Sequence, residues 1–310
     1  MMRAFYRPRT RPASHDLSQP PSIILIAGPT ASGKSALALK MARATGAVII
    51  NADSQQLYAD LRILTARPSA EDEALADHRL YGVADAAEAW SVGKWSRSVI
   101  DLLDAPQMRE RQFILVGGTG LYFMALTKGL ADIPSVPKII RDSAEAEYLS
   151  QGESAFRARL AEIDLLAAQN IERGDRQRLI RAASVFAATG KSLSKWKSQT
   201  RPVLGDRQWK GHVVEIDRRR LYEQCDIRVE QMLLGGAIEE VWALIERNID
   251  PTLPIMKAVG VREIASYLNG SASLEAATDA LKQSTRNYAK RQLTWFRNQT
   301  QGWNIAFQSV

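Results

Sequence analysis

Two rhythms of apolar residues run along this chain. Short apolar-rich stretches at residues 23–27 (IILIA), 47–51 (AVIIN), 112–116 (QFILV) and 212–216 (HVVEI) are separated by longer helix-forming segments. Stretches of this kind read as strands buried on both faces, and helical crossovers between them imply a parallel, three-layer α/β sheet. Ligands in such sheets lie beyond the carboxyl ends of the strands. Gly28, Asp53 and Thr119, which follow three of these stretches, are therefore expected on one rim.

Between residues 132 and 210 the rhythm becomes helical: Phe156, Leu160, Ile163 and Leu166 recur, then Leu179, Ile180, Ala183 and Phe186, with no strand-like alternation. The chain is expected to divide into a sheet core of 21–131 and 211–310 and a helical insertion of 132–210. The last part is helical again, with Leu274, Ala277, Leu281, Tyr288, Trp295 and Phe296 near one face. Its Lys282, Arg286, Lys290, Arg291 and Arg297 have no acidic neighbour after Asp279, so that side is expected to meet an anion.

Charge sharpens this picture. Over 310 residues, 41 Lys and Arg face 34 Asp and Glu, a net +7, but residues 173–210 alone carry ten Lys/Arg against Asp175 and Asp206, a local +8. So one-sided a helical surface points to nucleic acid. The single Cys225 excludes an internal disulfide and a thiolate cluster and suggests the cytoplasm, and His15, His78 and His212 lack metal-ligand spacing. No apolar stretch approaches the ~18 residues that span a bilayer, so a soluble protein is expected. Residues 1–20 hold Arg3, Arg7, Arg9 and Arg11 with Pro8, Pro12 and Pro20 and read as a disordered basic arm, the prolines opposing an amphipathic transit helix.

The candidate chemistry begins at Gly28-Pro29-Thr30-Ala31-Ser32-Gly33-Lys34-Ser35, two glycines four residues apart followed by lysine and a hydroxyl residue. Strand 23–27 before it and a helical stretch after it are the context in which a phosphate-binding loop works, with backbone amides and a helix N-terminus converging on phosphate. The fold expected is thus a P-loop NTPase-like three-layer parallel sheet with a helical insertion. Lys34 would neutralise phosphate oxygens, and the Ser35 hydroxyl would hold Mg²⁺. An ordinary ATPase also places an aspartate after a nearby strand to hold Mg²⁺; here strand 112–116 runs instead into Gly117-Gly118-Thr119-Gly120. The strand-end acid close to the loop is Asp53, better placed to act on an incoming nucleophile than on a hydrolytic water.

Five blocks in order resemble the tRNA dimethylallyltransferases: GPTASGKS at 28–35, Asp53-Ser54 with Gln56-Leu57-Tyr58, Thr65-Ala66-Arg67-Pro68, LVGGTGLY at 115–122, and TRNYAKRQLTWFR at 285–297. The resemblance spans about residues 23–303. It implies transfer of a dimethylallyl group from its diphosphate to the exocyclic amine of the adenine 3′ to the anticodon. Catalytic roles implied for this chain fall on Asp53, meeting the adenine amine, Thr30, orienting the diphosphate, and Arg228, stabilising its charge. Contact with the tRNA is implied for Asp53, Ser54, Gln55 and Gln56 around the inserted base, for Thr119 and Arg141, and for Gln177, Arg178, Leu179, Ile180 and Arg181 along the anticodon arm. Implied partners are the tRNA anticodon stem-loop and dimethylallyl diphosphate, with no membrane and no stable protein partner. Arg67, Trp90 and Val261 depart from the family's usual Lys, Tyr and Tyr. An adenylate-type isopentenyltransferase is disfavoured by the basic insertion, which a mononucleotide does not need. A small-molecule kinase is disfavoured by the missing Mg²⁺ acid, and a non-catalytic RNA-binding module by the intact Lys34 and Ser35.

Overall fold

The computed structural model describes residues 22–131 and 133–307; the expected basic arm, and Asp132 at the start of the expected insertion, lie outside the described residues. Strands β1 (Ile23–Ala27), β2 (Val48–Asn51), β3 (His78–Arg79), β4 (Phe113–Gly117), β5 (Trp209–Glu215) and β6 (Asn304–Phe307) form one sheet. Its order is β3-β2-β4-β1-β5-β6 and all its pairings are parallel. Between the strands run α1 (Lys34–Thr45), α2 (Ala70–Leu75), α3 (Val92–Asp104), α4 (Gly120–Thr127), α5 (Lys138–Ile163), α6 (Leu165–Asn170), α7 (Arg176–Thr189) and α8 (Leu193–Lys197). After β5 come α9 (Arg218–Leu234), α10 (Ala237–Glu246), α11 (Val261–Leu268) and α12 (Leu274–Gln299). None of the helices described is long and apolar enough to cross a membrane.

The central strands carry apolar residues on both faces because both are covered. Leu25, Ala27, Val48, Ile50 and Leu115 face one core, where Trp95 of α3, Phe123 of α4, Val241 of α10 and Leu281 and Phe296 of α12 meet them. Ile26, Ile49, Ile114 and Val116 face the other core against Ala38 and Ala42 of α1. Each large apolar side chain so removed from water contributes about 1.5–3 kcal/mol, which fixes the sheet and the strand tips that carry the site.

Helices α5 to α8 bury a separate core of Phe156, Leu160, Ala167, Leu179, Val185 and Leu193. The chain rejoins the main core at Leu204, and Trp209 and Lys210 already belong to β5, two residues inside the stretch expected to be insertion. β3 and β6 are strands beyond the four expected from the sequence. Both are edge strands with one neighbour each, β3 only two residues long and β6 carrying a half-exposed Ile305, so neither needs the apolar density that marks the interior strands.

Candidate active site

β1 ends at Ala27, and the chain turns through Gly28 and Pro29 into a loop whose Ala31 and Gly33 both take the left-handed conformation, at φ 61° and 80°. These turns bring the loop to the N-terminus of α1, where Lys34 and Ser35 are the first helical residues. A non-glycine at positive φ is a stored strain of the kind found at ligand-binding loops. Lys34 is buried and its Nζ donates to the Pro29 carbonyl at 3.2 Å, folding the side chain back over the loop. Burial pulls its pKa down to about 8; Asp53 opposes that shift and Arg228 adds to it. Ser32 is fully buried and its hydroxyl lacks a hydrogen-bond partner, an unsatisfied polar group within the loop. Ser35 is exposed.

Asp53 follows β2 and is held on three sides. Its N–H donates to Asn51 Oδ1 at 2.8 Å, its carbonyl accepts from Asn51 Nδ2 at 2.9 Å, and its own Oδ1 accepts from Gln55 N at 3.0 Å. Asn51 is itself fixed, because the Trp95 indole donates to its carbonyl at 2.9 Å and its Nδ2 also reaches the Leu80 carbonyl at 3.0 Å. Trp95 stacks on Tyr122, ring centroids 4.0 Å apart. The carboxylate is thus buried but rigidly placed, with Oδ1 taken by the turn.

The Gly117-Gly118 pair exists for close approach. A Cβ on Gly117 would lie 2.0 Å from the Ala52 carbonyl oxygen, and one on Gly118 would lie 2.1 Å from Gln292 Nε2 and 3.1 Å from Asp53 Oδ2. Buried Gln292 of α12 joins three motif blocks: its Oε1 accepts from Thr30 N at 2.8 Å and its Nε2 donates to the Gly118 carbonyl at 2.9 Å. Arg228 of α9 donates to the Thr30 hydroxyl at 2.9 Å. Thr119 accepts from Ser54 N at 2.9 Å and lies 3.2 Å from the Ser54 hydroxyl, tying the β4 exit to the residue after Asp53.

One cavity opens among these groups. Its lining combines polar groups of Thr30, Asp53, Gln55, Thr65, Arg228, Thr285 and Tyr288 with apolar side chains of Leu64, Met232, Val259 and Leu281. The Tyr288 phenol lies beside Gln55 and Thr119, and burial together with the Asp53 charge raises its pKa, so it stays protonated. Gln292 and Tyr288 are functional candidates beyond the residues expected from the sequence. The signal for Gln292 is a polar residue interrupting the buried α12 stripe Leu281, Thr285, Ala289, Gln292, Phe296; Tyr288 lies beside that stripe and reads as one more packing aromatic.

The other expected contacts divide. Gln55 lines the cavity, while the Gln56 amide turns away and donates to the Thr65 and Ala66 carbonyls at 2.9 and 2.8 Å, bracing a loop rather than bordering the cavity. Arg67 likewise spends its guanidinium on the Tyr58 and Ala59 carbonyls at 3.0 and 3.1 Å. Leu179 is fully buried in the core of the helical segment and has no surface to offer, and Ile180 packs partly against the same core. Gln177, Arg178 and Arg181 are exposed on α7, and Arg178 pairs with Asp175 at 3.3 Å. Arg141 of α5 faces Arg181, whose pKa is lowered by desolvation and then by the Arg141 charge; neither has a carboxylate partner among the described residues. On α12, Lys282 and Arg286 do not wait for an outside anion, because Glu230 and Asp226 of α9 take them at 2.6 Å each.

A phosphate loop at the tip of β1, with a buried carboxylate at the tip of the second strand and a cavity lined by both polar and apolar side chains between them, defines a P-loop-like α/β protein. A family model described as IPP transferase matches residues 56–299, and the chain belongs to that family. It is 56% identical to a tRNA dimethylallyltransferase of Phenylobacterium zucineum (strain HLK1), over 91% of this chain and 92% of the relative. A second tRNA dimethylallyltransferase, of Caulobacter sp. (strain K31), is 55% identical over 91% of each chain. Among solved structures, a full-length tRNA isopentenylpyrophosphate transferase from Bacillus halodurans superposes with a TM-score of 0.63 at 33% identity, covering 92% of this chain and 89% of that one. A eukaryotic dimethylallyltransferase acting on tRNA superposes with a TM-score of 0.77 at 24% identity, over 92% of this chain and 73% of that one, a likeness of fold.

Proposed function

We propose that the protein transfers the dimethylallyl group of dimethylallyl diphosphate to N6 of the adenine 3′ to the anticodon of cytoplasmic tRNA, releasing diphosphate. The observation that carries this reading is the single cavity in which Thr30 and Arg228, the Asp53 carboxylate and an apolar wall of Leu64, Met232, Val259 and Leu281 meet. An allylic diphosphate is likewise both polar and apolar. Residues 28–35 cradle the diphosphate through backbone amides, Lys34 and Arg228 neutralise it, and the Thr30 hydroxyl, held by Arg228, orients it.

As the allylic carbon–oxygen bond breaks, its electron pair leaves with the diphosphate, where those cations stabilise it. The adenine N6 lone pair forms the new carbon–nitrogen bond, and Asp53 takes the N6 proton once the amine becomes positively charged. A neutral aromatic amine is a poor nucleophile, so alignment by the fixed carboxylate matters more than prior deprotonation. The buried, unpartnered Ser32 hydroxyl and the helix N-terminus suit an anion with its counter-ion. No cluster of three His, Cys, Asp or Glu among the described residues could hold a metal by itself. The Ser35 hydroxyl would hold Mg²⁺, which would supply further neutralisation of the leaving group.

The target adenine leaves its stack to reach this site, which is least costly from a single-stranded loop. The helical segment 132–210 then holds the anticodon arm, with Arg141 and Arg181 meeting phosphate and Gln177 and Arg178 beside them. Ser54, Gln55 and Thr119 border the turned-out base. Incubation with labelled dimethylallyl diphosphate and unmodified tRNA, without ATP, is expected to place label on one adenosine after nuclease digestion. Unlabelled RNA, or transfer that requires ATP, refutes the reading.

A further inference from the structure

We propose that Leu64 and Leu281 form a length gauge that limits the transferred hydrocarbon to five carbons. The inference rests on the function proposed above and concerns the apolar lining of the same cavity. Both side chains line it and both are buried, at 4% and 1% exposure. They come from different parts of the chain, Leu64 from the loop after β2 and Leu281 from α12, and they close on each other over Gly260 at the start of α11. A Cβ on Gly260 would lie 2.6 Å from Leu64 Cδ1 and 3.0 Å from Leu281 Cδ1, and its φ of 102° favours glycine. Bare backbone is therefore what lets the two leucines sit so deep.

Neither leucine is free to retreat. Glu240 of α10 accepts from the Ile63 and Leu64 amides at 2.8 and 3.0 Å, pinning that loop, and Leu281 lies on the buried stripe of a long helix. Under the function proposed above, Thr30 and Arg228, joined at 2.9 Å, hold the diphosphate and so set where the hydrocarbon begins. The leucine pair closes the apolar lining of this cavity, so a second isoprene unit would have to displace side chains that are buried and pinned, whereas a five-carbon group need only rest against them. Close-packed walls that cannot relax discriminate chain length more strongly than soft ones.

The test compares dimethylallyl and geranyl diphosphate as donors to an unmodified anticodon stem-loop, reading the ratio of kcat/KM for the two. Wild type is expected to favour the five-carbon donor. Leu281→Ala and Leu64→Ala are each expected to move the ratio towards geranyl by about tenfold or more, with the KM for RNA little changed. Leu281→Met, which conserves volume, keeps the wild-type preference. Should either alanine variant fail to fold, Met232→Ala on the partly buried side of the same wall is expected to shift the ratio in the same direction. An unshifted ratio in folded variants, in an enzyme that prenylates RNA normally, overturns the gauge alone, as does a wild type that uses both donors equally well. A wild type that labels RNA with neither donor overturns the proposed function, and the gauge with it.

Discussion

Gln292 is the residue whose removal is most informative, because one buried amide holds the phosphate loop to the β4 exit. Replacing it with leucine keeps the volume roughly constant and deletes both hydrogen bonds, at 2.8 Å to Thr30 N and 2.9 Å to the Gly118 carbonyl. A buried donor or acceptor left unpaired costs about 1–3 kcal/mol. Thr30 is only partly buried and regains some water, whereas Gly118 faces the interior, so Gln292→Leu is expected to lose about 2–4 kcal/mol of stability. Urea denaturation reads that loss directly as a lower midpoint at unchanged slope. The functional consequence is separable, because an untied Thr30 no longer presents its hydroxyl in one orientation. A loss of about 1–2 kcal/mol in donor binding corresponds to a KM for dimethylallyl diphosphate raised about 5–30-fold, with the KM for RNA nearly constant. Gln292→Glu keeps an acceptor for Thr30 but sets a carboxylate against the Gly118 carbonyl, so its stability loss should exceed its donor KM effect. A Gln292→Leu protein with wild-type stability and wild-type donor KM would refute the cross-tie.

Three further outcomes are expected. Asp53→Asn keeps the acceptor that the Gln55 amide uses but removes the base, so kcat should fall by about 100-fold or more with stem-loop affinity within about threefold, as read by single-turnover kinetics and fluorescence binding. Lys34, held near a pKa of about 8 by burial, loses its charge as pH rises through that value, so binding of a non-reactive thiolodiphosphate analogue should weaken above it and Lys34→Met should abolish the dependence. Stability moves the opposite way: between about 8 and 10.5 the unfolded chain still holds the proton that the folded chain has released, so this group makes the unfolding free energy rise with pH over that window. Arg181→Ala should weaken RNA binding and lower the slope of log affinity against log salt by about 0.7–0.9, and an unchanged slope would remove Arg181 from the phosphate track.

What could be read from the chain follows from where each signal resides. β1, β2, β4 and β5 were legible because burial on both sheet faces forces continuous apolar runs, and the loop at 28–35 because its glycines and Lys34 must fall at fixed spacing. The edge strands β3 and β6 have one hydrogen-bonded neighbour each and little apolar demand, so they left no trace. Leu179 shows two signals in conflict: its helical spacing with Ala183 and Phe186 turned it inward, while the family likeness had set it against RNA. Burial decides for the first. The unopposed cations Lys282 and Arg286 found their acids on α9, Glu230 and Asp226, 52 and 60 residues away in sequence, a pairing set by the antiparallel approach of two helices rather than by any local pattern. Gln292 and Tyr288 gain their meaning from groups far along the chain, Thr30 and Gly118 for the one and Asp53 for the other.

In the proposed function the phosphate loop holds a departing diphosphate while Asp53 meets an adenine amine in the same cavity. The most direct test is a structure of the protein with an anticodon stem-loop and a dimethylallyl thiolodiphosphate. The expected result is an everted adenine whose N6 lies about 2.6–3.2 Å from Asp53, with the diphosphate in the loop at 28–35. An adenine left in its stack, or a carboxylate turned away from N6 while a nucleoside triphosphate fills the loop, would contradict it.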